Sequence, residues 1–386
     1  MADRVRIPAS LLPQDGRFGS GPSRVTDRQL ASLMAAQTTV LGTSHRQDPV
    51  KNLVGDVRAG LADFFSVPDG YEVVLGNGGA TMFWDVAVFS LIRDRAQHCA
   101  FGEFGAKFAA ASTAAPHLGE VSLRESPPGT VIAPAAEEGI DSYAWTHNET
   151  STGALAPVKR PEGIEEDALT IVDGTSAAGG TSVDITETDV YYFAPQKGFA
   201  SDGGLWCAIL SPRALARMDE IARSGRYIPP SLNLTHAVEN SRKNQTYNTP
   251  AIATLVLMND QIQWLRERGG MEWAAARTAE SSGRIYAWAG DESHIVPYVT
   301  NPWERSPVVL TLNLVRGIRT GTIREALRDN GIVDIDPYRK LGENQLRIGT
   351  YPAVDPEDAT ALTNCLTWLL EEFDGAGEEE GGTLPD

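Results

Sequence analysis

Lys197 is the residue whose type and surroundings most suggest covalent chemistry. It lies at the centre of YYFAPQKGFASDGGLW (residues 191–206), just past a short apolar strand predicted over 190–194. A lysine in apolar and aromatic surroundings is poorly solvated, which disfavours the ammonium form and leaves an amine that can attack a carbonyl. Most lysines are solvated surface charges, so Lys197 alone does not establish a site.

Asp173 is a second residue with a chemical interpretation. It ends the apolar strand ALTIVD, and Lys197 follows the end of the next predicted strand. A carboxylate in an apolar frame needs a cationic partner, and a protonated pyridine nitrogen would supply one. An aspartate in this position is also commonly a solvated turn or helix-capping residue. The residue types alone leave both interpretations open.

A glycine turn, NGGAT (77–81), separates a predicted strand from a predicted helix. Free backbone N–H groups and the helix dipole would favour a phosphate at Gly79, Ala80 and Thr81. The turn matches neither the G-x-G-x-x-G nor the G-x-x-x-x-G-K-[ST] nucleotide-binding motif. Glycines that only turn the chain explain this segment equally well.

Two more strand ends carry side chains suited to a flat, polar ligand. Phe104 opens a predicted helix and could stack on an aromatic ring, although core packing is the ordinary role of such a residue. Asn148 and Thr150 follow another strand in HNETSTG (147–153). Ligands bind at the carboxyl ends of strands in open α/β sheets, so these features together predict one cleft.

The strands that carry these residues are continuous apolar runs, and helices separate the earlier ones. This pattern is typical of a mostly parallel sheet buried on both faces, in a large α/β domain over 25–268. The later elements predict a smaller α+β domain over 269–374. We expect residues 1–24 to pack against the small domain and the active site. The acidic, glycine-rich tail (375–386) is predicted to be disordered.

Composition restricts the possible partners. The formal net charge of −18 works against nucleic-acid binding. Cys99, Cys207 and Cys365 lie far apart in apolar runs, which predicts buried thiols in a reducing cytoplasm rather than a metal site or disulfides. The first residues lack the apolar core of a signal peptide, and apolar runs such as 82–92 are too short to span a bilayer. We therefore expect a cytoplasmic protein that binds no metal, membrane or nucleic acid.

Motifs distributed over nearly the whole chain, apart from the acidic tail, carry a family resemblance. With them the chain resembles the phosphoserine aminotransferases, which are pyridoxal-phosphate enzymes of fold type I in the class V aminotransferase branch. The SHRQ and YRKLGENQLR motifs are similar to those of actinobacterial members. The segments are FGSGPSR (18–24), GTSHRQDPVKNLV (42–54), GNGGATMFWD (76–85), YAWTHNETSTG (143–153), VDGTSAAGG (172–180), YYFAPQKGFASDGGLW (191–206), KNQTYNTPAI (243–252) and GIVDIDPYRKLGENQLRIG (331–349).

The resemblance implies a role for each cofactor-binding position. Lys197 would bind pyridoxal phosphate covalently and then move the proton between the substrate Cα and the cofactor C4′. Asp173 would keep the pyridine nitrogen protonated. Phe104 stands where better-known members have a tryptophan stacked on the ring. The remaining positions implied to contact the cofactor are Ala80, Thr81, Thr150 and Gln196.

The resemblance also implies a homodimer. Asn248 and Thr249, in QTYNTP, match positions that reach the cofactor phosphate of the neighbouring subunit. Without the family pattern, a turn before a proline would be the preferred interpretation of this segment.

Substrate recognition would need cations, because 3-phosphohydroxypyruvate and glutamate are both anionic. His45, Arg46 and Arg347 match substrate-binding positions, and a planar guanidinium can hold a carboxylate or phosphate through two hydrogen bonds. Surface salt bridges are the alternative explanation for the two arginines. Other branches have a His-Arg pair shortly before the last arginine, where this chain has Arg339 and Lys340.

The expected activity is transfer of the amino group of L-glutamate to 3-phosphohydroxypyruvate, giving O-phospho-L-serine and 2-oxoglutarate in serine biosynthesis. Some members also act in pyridoxine biosynthesis, and the resemblance leaves this open. The alternatives are another class V enzyme, such as a serine–glyoxylate aminotransferase or a cysteine desulfurase, and a non-catalytic protein that retains the fold. Cysteines in apolar runs disfavour the desulfurase.

Overall fold

The main sheet has seven strands among the residues that the structure describes. The computed structural model describes residues 5–315, 319–341 and 344–379. The strands lie in the order β1-β9-β8-β7-β4-β2-β3. They are β1 (Glu72–Asn77), β2 (Ala96–Ala100), β3 (Ser122–Glu125), β4 (Ser142–Thr146), β7 (Leu169–Asp173), β8 (Val190–Phe193) and β9 (Leu205–Leu210), and the short hairpin of β5 (Asn148–Glu149) and β6 (Ala154–Leu155) stands apart from them.

The sheet is mostly parallel, which confirms the predicted fold class. Strands β3, β2, β4, β7 and β8 pair in parallel, whereas β9 is antiparallel to both of its neighbours, β8 and β1. Antiparallel neighbours need no crossover helix, so the loop between β8 and β9 stays at one edge of the sheet. That loop contains Lys197, and the carboxyl ends of β4 and β7 lie beside it.

Helices cover both faces of this sheet. Alternate residues of β8 lie on opposite faces. Tyr191 and Phe193 pack into the core beneath α2 (Asp48–Phe64) and α7 (Ile252–Glu267), while Tyr192 packs on the other face with Phe83 of α3 (Ala80–Ser90). Continuous apolar strands are therefore explained by burial on both sides. The helices are α1 (Asp27–Ala35), α2 (Asp48–Phe64), α3 (Ala80–Ser90), α4 (Glu103–Ala114), α5 (Pro212–Arg223), α6 (Leu234–Ser241) and α7 (Ile252–Glu267).

A second, antiparallel sheet has the order β10-β11-β12 and its own hydrophobic core. The N-terminal segment lies along it: the Phe18 amide donates to the Val333 carbonyl (3.3 Å), and the Gly349 amide donates to the Phe18 carbonyl (2.7 Å). This pairing leads residues 20–21 towards Lys197. The elements here are α8 (Gly270–Asp291), β10 (Ile295–Pro297), β11 (Val309–Leu314), α9 (Thr320–Asp329), β12 (Gln345–Gly349) and α10 (Pro356–Glu379).

Several elements differ from the sequence-based prediction. Helices α5 and α6, strand β10 and the β5–β6 hairpin were not predicted: α6, β10 and the hairpin are short, whereas α5 has a start signal, the capping Ser211 before Pro212, that the prediction missed. Helix α10 ends at Glu379, so residues 375–379 of the predicted disordered tail are helical, and residues 380–386 lie outside the described residues. The proposed domain boundaries stay predictions.

In the described ranges, no helix is both long and apolar enough to cross a membrane.

Asp189 is a buried charge at the amino-terminal edge of the main sheet, where it joins the ends of three strands to a loop and to the start of helix α5. Its fully buried carboxylate accepts hydrogen bonds from Arg160 (2.7 Å), Arg213 (2.9 Å) and the Thr170 amide (3.0 Å). Burial opposes ionisation, but the hydrogen bonds from Arg213, the Thr170 amide and Ser211 outweigh it and lower the pKa of Asp189. Removing it would leave two arginines without their common partner.

We predict that Asp189→Ala lowers the free energy of unfolding by about 3–5 kcal/mol, as expected when one partner of a buried ion pair is removed. Urea unfolding measures this difference, which should shrink at acidic pH because the depressed pKa stabilises the fold only while the carboxylate is ionised. Glu162→Ala is the control, since Glu162 is exposed and pairs with Lys159 at 3.8 Å. Equal effects of the two variants would contradict the structural role of Asp189.

Candidate active site

A cavity of about 330 Å³ lies at the carboxyl-terminal edge of the main sheet. It brings together residues from the ends of β4, β7 and β8, the first turns of α3 and α4, the N-terminal segment and β12. Eight of the predicted site residues line it: Ala80, Thr81, Phe104, Thr150, Asp173, Gln196, Lys197 and Arg347. The other lining residues are Ser20, Gly21, Gly79, Trp84, Thr146, Asn148, Thr175, Ser176 and Tyr338.

Lys197 is buried in this cavity, with 7% of its surface exposed. Its Nζ donates a hydrogen bond to Thr150 Oγ1 (2.9 Å). Burial lowers the pKa of Lys197 to about 8, and the charges of Asp173 and Glu149 oppose this effect, whereas Arg347 adds to it. The amine is therefore a nucleophile at moderately alkaline pH.

Gly21 is packed against the Lys197 side chain. Its φ of +143° is unfavourable for other residues, and a Cβ atom at this position would lie 2.5 Å from Lys197 Cε. The GSGPS turn of the N-terminal segment thus closes one side of the cavity, where no side chain would fit.

Asp173 is held by donors to both of its carboxylate oxygens. Tyr192 donates its hydroxyl to Oδ2 (3.0 Å), with Trp84 Nε1 at 3.4 Å from the same atom, and the Thr175 amide donates to Oδ1 (2.9 Å). These contacts fix the carboxylate at the deep end of the cavity. Sequence reasoning missed Trp84 and Tyr192, because both are in apolar runs that read as ordinary core.

The start of α3 provides an anion-binding end of the cavity. Its N-cap residue, Gly79, makes no side-chain cap, so the amides of Ala80 and Thr81 have no acceptor within the helix. Such free amides, together with the helix dipole, are suited to a phosphate. The helix begins two residues earlier than predicted, which places both residues in its first turn.

Several buried polar atoms of the cavity lack a partner within the described residues. They are Thr146 Oγ1, Asn148 Oδ1, Thr175 Oγ1, Gln196 Oε1 and Arg347 Nε. Buried polar groups are nearly always hydrogen-bonded, so unpaired atoms gathered around one cavity indicate a polar ligand there. A flat ring that carries a phosphate, a hydroxyl and a ring nitrogen fits this arrangement.

Arg347 and Tyr338 form the side of the cavity that faces the second sheet. Arg347 Nη1 donates to the Thr150 carbonyl (3.1 Å), and its guanidinium carbon lies 5.3 Å from the centre of the Tyr338 ring. Tyr338 in turn makes an edge contact with Phe104, with ring centres 6.1 Å apart. Arg347 is thereby held in place with its Nε atom still available to a ligand.

Arg339 and Lys340 do not line the cavity. Both are exposed, and Lys340 pairs with Glu103, which also pairs with Lys107 (3.2 Å). In the segment Gln345–Gly349, by contrast, pairing with β11 directs Arg347 inwards. The structure thus separates these two predicted substrate-binding residues from the cavity of their own chain.

His45, Arg46, Asn248 and Thr249 also lie outside that cavity, in a second group that we call the surface cluster. Thr249 Oγ1 and His45 Nδ1 are 3.0 Å apart, and Asn77 Nδ2 donates to the Thr249 carbonyl (2.9 Å). Arg46 donates to Gln245 (3.1 Å). The four residues predicted from two distant motifs are therefore neighbours, at the surface beyond the end of β1.

Comparison with known proteins gives the family. Residues 20–334 match the model of the family described as aminotransferase class-V. The chain belongs to the class-V aminotransferases. A phosphoserine aminotransferase from a Nocardioides species is 56% identical over 374 residues, which cover 97% of this chain and 100% of that relative.

Solved structures share the fold. A phosphoserine aminotransferase from Cytophaga hutchinsonii has a TM-score of 0.85 at 22% identity, covering 92% of this chain and 99% of its own. A PLP-bound phosphoserine aminotransferase from Trichomonas vaginalis has a TM-score of 0.78 at 18% identity, covering 92% of this chain and 100% of its own. The fold is that of the pyridoxal-phosphate aminotransferases of fold type I, and pyridoxal phosphate is the cofactor.

We predict that the cofactor-free protein takes up pyridoxal phosphate faster as the pH rises, with a midpoint at about 8. The reason is that only the neutral Lys197 amine attacks a carbonyl, and its fraction increases through the lowered pKa. Stopped-flow absorbance of the lysine-bound cofactor measures this rate. Lys197→Ala should show no such phase, and a midpoint near the ordinary lysine value of about 10 would contradict the effect of burial.

Proposed function

We propose that this protein transfers the amino group of L-glutamate to 3-phosphohydroxypyruvate, forming O-phospho-L-serine and 2-oxoglutarate. The observation that carries the proposal is the convergence of Lys197, Asp173 and Arg347 on one cavity of a class-V aminotransferase. The full-length similarity to a phosphoserine aminotransferase supports the choice of substrates. The product would serve serine biosynthesis in the cytoplasm, and the three buried, unpaired thiols are compatible with that location.

Each cavity residue has a defined task in this reaction. When bound, pyridoxal phosphate supplies the carbonyl group and the electron-withdrawing ring that amino-group transfer requires. Asp173 would hold the proton of the ring nitrogen, and the Ala80 and Thr81 amides would bind the phosphate. Lys197 Nζ would take the proton from the substrate Cα, with Thr150 Oγ1 orienting it from 2.9 Å.

Arg347 is suited to the carboxylate that both substrates share. Its guanidinium presents paired donors to a planar anion, and its contacts with Thr150 and Tyr338 fix its direction before the substrate binds. A pre-positioned cation loses less conformational entropy on binding. The half-buried setting also strengthens its attraction for an anion.

We further propose that the surface cluster serves the cavity of a second subunit in a homodimer. Its residues are one cation, Arg46, and three polar groups that can hydrogen-bond a phosphate, yet in their own chain they lie away from the cavity. The contact between His45 and Thr249 supports their acting as one unit. In this arrangement Arg46 would bind the substrate phosphate and Asn248 and Thr249 the cofactor phosphate, while Arg339 and Lys340 would add positive charge at the entrance.

A different class-V activity is less well supported. Cysteine desulfurases need a mobile, reactive thiol, whereas Cys99, Cys207 and Cys365 are all buried. Burial raises the pKa of Cys99 to about 12 and that of Cys365 to about 11, so their thiolates are scarce. A serine–glyoxylate aminotransferase would have no use for the additional cation, Arg46, of the surface cluster.

The visible absorbance of the purified protein tests the substrate assignment. We predict that glutamate removes the band of the lysine-bound cofactor and that 3-phosphohydroxypyruvate restores it. Glyoxylate and pyruvate should not restore the band, because neither offers a phosphate to the cationic groups. Restoration by glyoxylate alone would leave the cofactor assignment intact and overturn the substrate.

Mixed dimers test the shared site. We predict that Lys197→Ala and Arg46→Ala are each nearly inactive as homodimers, but that their co-expressed mixture regains about a quarter of the wild-type activity. In a symmetric dimer about half of the dimers would be hybrids, each with one site that has both residues intact. Activity no greater than the sum of the two variants would place Arg46 and Lys197 in the same subunit's site, or Arg46 outside the site.

A further inference from the structure

We propose that Glu149 is a positioning residue, which fixes Phe104 and Thr150 relative to each other and thereby sets the face of the cavity that holds the cofactor ring. Nothing in the activity described above requires this residue. Glu149 is nevertheless fully buried beside the cavity without lining it. The inference rests on the pyridoxal phosphate site, and not on which keto acid is the substrate.

The first turn of α4 depends on Glu149. The N-cap residue of this helix, Gly102, provides no side-chain hydrogen bond. Instead, Glu149 Oε2 accepts from the amides of Phe104 (3.1 Å) and Gly105 (3.2 Å). A distant carboxylate thus takes the place of a capping side chain and holds the helix start that carries the Phe104 ring.

Ser151 extends this arrangement. Its hydroxyl donates to Glu149 Oε1 (2.6 Å), its amide also donates to Oε1 (3.2 Å), and its Oγ accepts from the Glu103 amide (3.1 Å). Together, Glu149 and Ser151 therefore satisfy three consecutive amides of α4. We call this set of hydrogen bonds the Glu149 clamp.

Thr150 lies between the two residues of the clamp and faces the cavity. Its Oγ1 accepts from Lys197 Nζ (2.9 Å), and its carbonyl accepts from Arg347 Nη1 (3.1 Å). One short segment consequently holds Phe104 through its flanking residues and contacts Lys197 and Arg347 through its middle residue. A displacement of Glu149 would therefore move both Phe104 and Thr150.

The space around Glu149 is fitted to this side chain. A Cβ atom on Gly102 would lie 2.3 Å from Glu149 Cγ, so a glycine is required for the carboxylate to reach α4. Burial raises the pKa of Glu149, and the bonds from Ser151, Gly105 and Phe104 oppose this effect. All four groups that contact the carboxyl oxygens are donors, so the surroundings of Glu149 require an acceptor at both oxygens.

Glu149→Gln tests the proposal, because it keeps the shape of the side chain but turns one acceptor oxygen into a donor that faces backbone amides. We expect affinity for pyridoxal phosphate to fall about tenfold to a hundredfold, the range for leaving buried donors unpaired. The absorbance maximum and circular dichroism of the bound cofactor should also change, since the Phe104 ring and Thr150 would move. Equilibrium dialysis measures the affinity.

Glu137→Gln is the matched control. Its carboxylate also accepts from a serine, Ser122 (2.5 Å), and from Gln97 (3.1 Å), but it is partly exposed, pairs with Arg95 (3.4 Å) and bonds to no residue that lines the cavity. This variant should lose thermal stability without altering cofactor affinity or spectra. If Glu149→Gln behaves in the same way, the clamp is merely structural and the proposal is wrong.

Ser151→Ala gives a second, milder test that does not depend on folding of the Glu149 variant. It removes the bond to the Glu103 amide and one donor to Glu149, so we expect an affinity loss of a few fold to about tenfold. Unchanged affinity and spectra would overturn the proposal. If a keto acid other than 3-phosphohydroxypyruvate restores the visible absorbance of the lysine-bound cofactor after glutamate, the proposed substrate is wrong. The affinity and spectra measured here do not depend on that outcome.

Discussion

Burial of the Lys197 amine is the constraint on which the site depends. Removal from water makes the neutral amine available at moderate pH, but a buried amine needs polar neighbours if the fold is to tolerate it. Thr150 provides the hydrogen bond, and the carboxylates of Asp173 and Glu149 provide compensating charge. All of these residues follow or end strands at one edge of the sheet. The same strand order therefore gives the Lys197 amine its polar neighbours and forms the cavity.

The cavity also depends on pieces of chain that are far apart in sequence. The N-terminal segment pairs with the second sheet, and this places Gly21 against Lys197. Strand β12 belongs to that second sheet and carries Arg347 to the edge of the first. The two sheets thus bring the cations Lys197 and Arg347 into one cavity of a chain whose net charge is −18, and this is where we propose that the anionic substrates bind.

Much of this could be predicted from the sequence, because the apolar runs of β7 and β8 are strong local signals and the motifs at their ends are specific. Asp173 and Lys197 were identified in this way. The roles of Glu149, Trp84 and Tyr192 could not be, since each acts through a contact with a residue distant in the chain. Arg339 and Lys340 show a limit of local motifs: although they precede the lining residue Arg347 by only a few positions, both are exposed and neither lines the cavity of their own chain.

From the sequence alone we could predict the fold class and the positions of Lys197, Asp173 and the glycine turn at strand ends, because residue type and strand-end position are local properties. How these groups are held follows from the tertiary structure, which shows the donors that fix Asp173, the hydrogen bonds by which the Glu149 clamp caps α4, and the contact of His45 with Thr249 away from the cavity. Such contacts join residues distant in sequence, and their geometry follows from the packing of strands and helices rather than from any one segment.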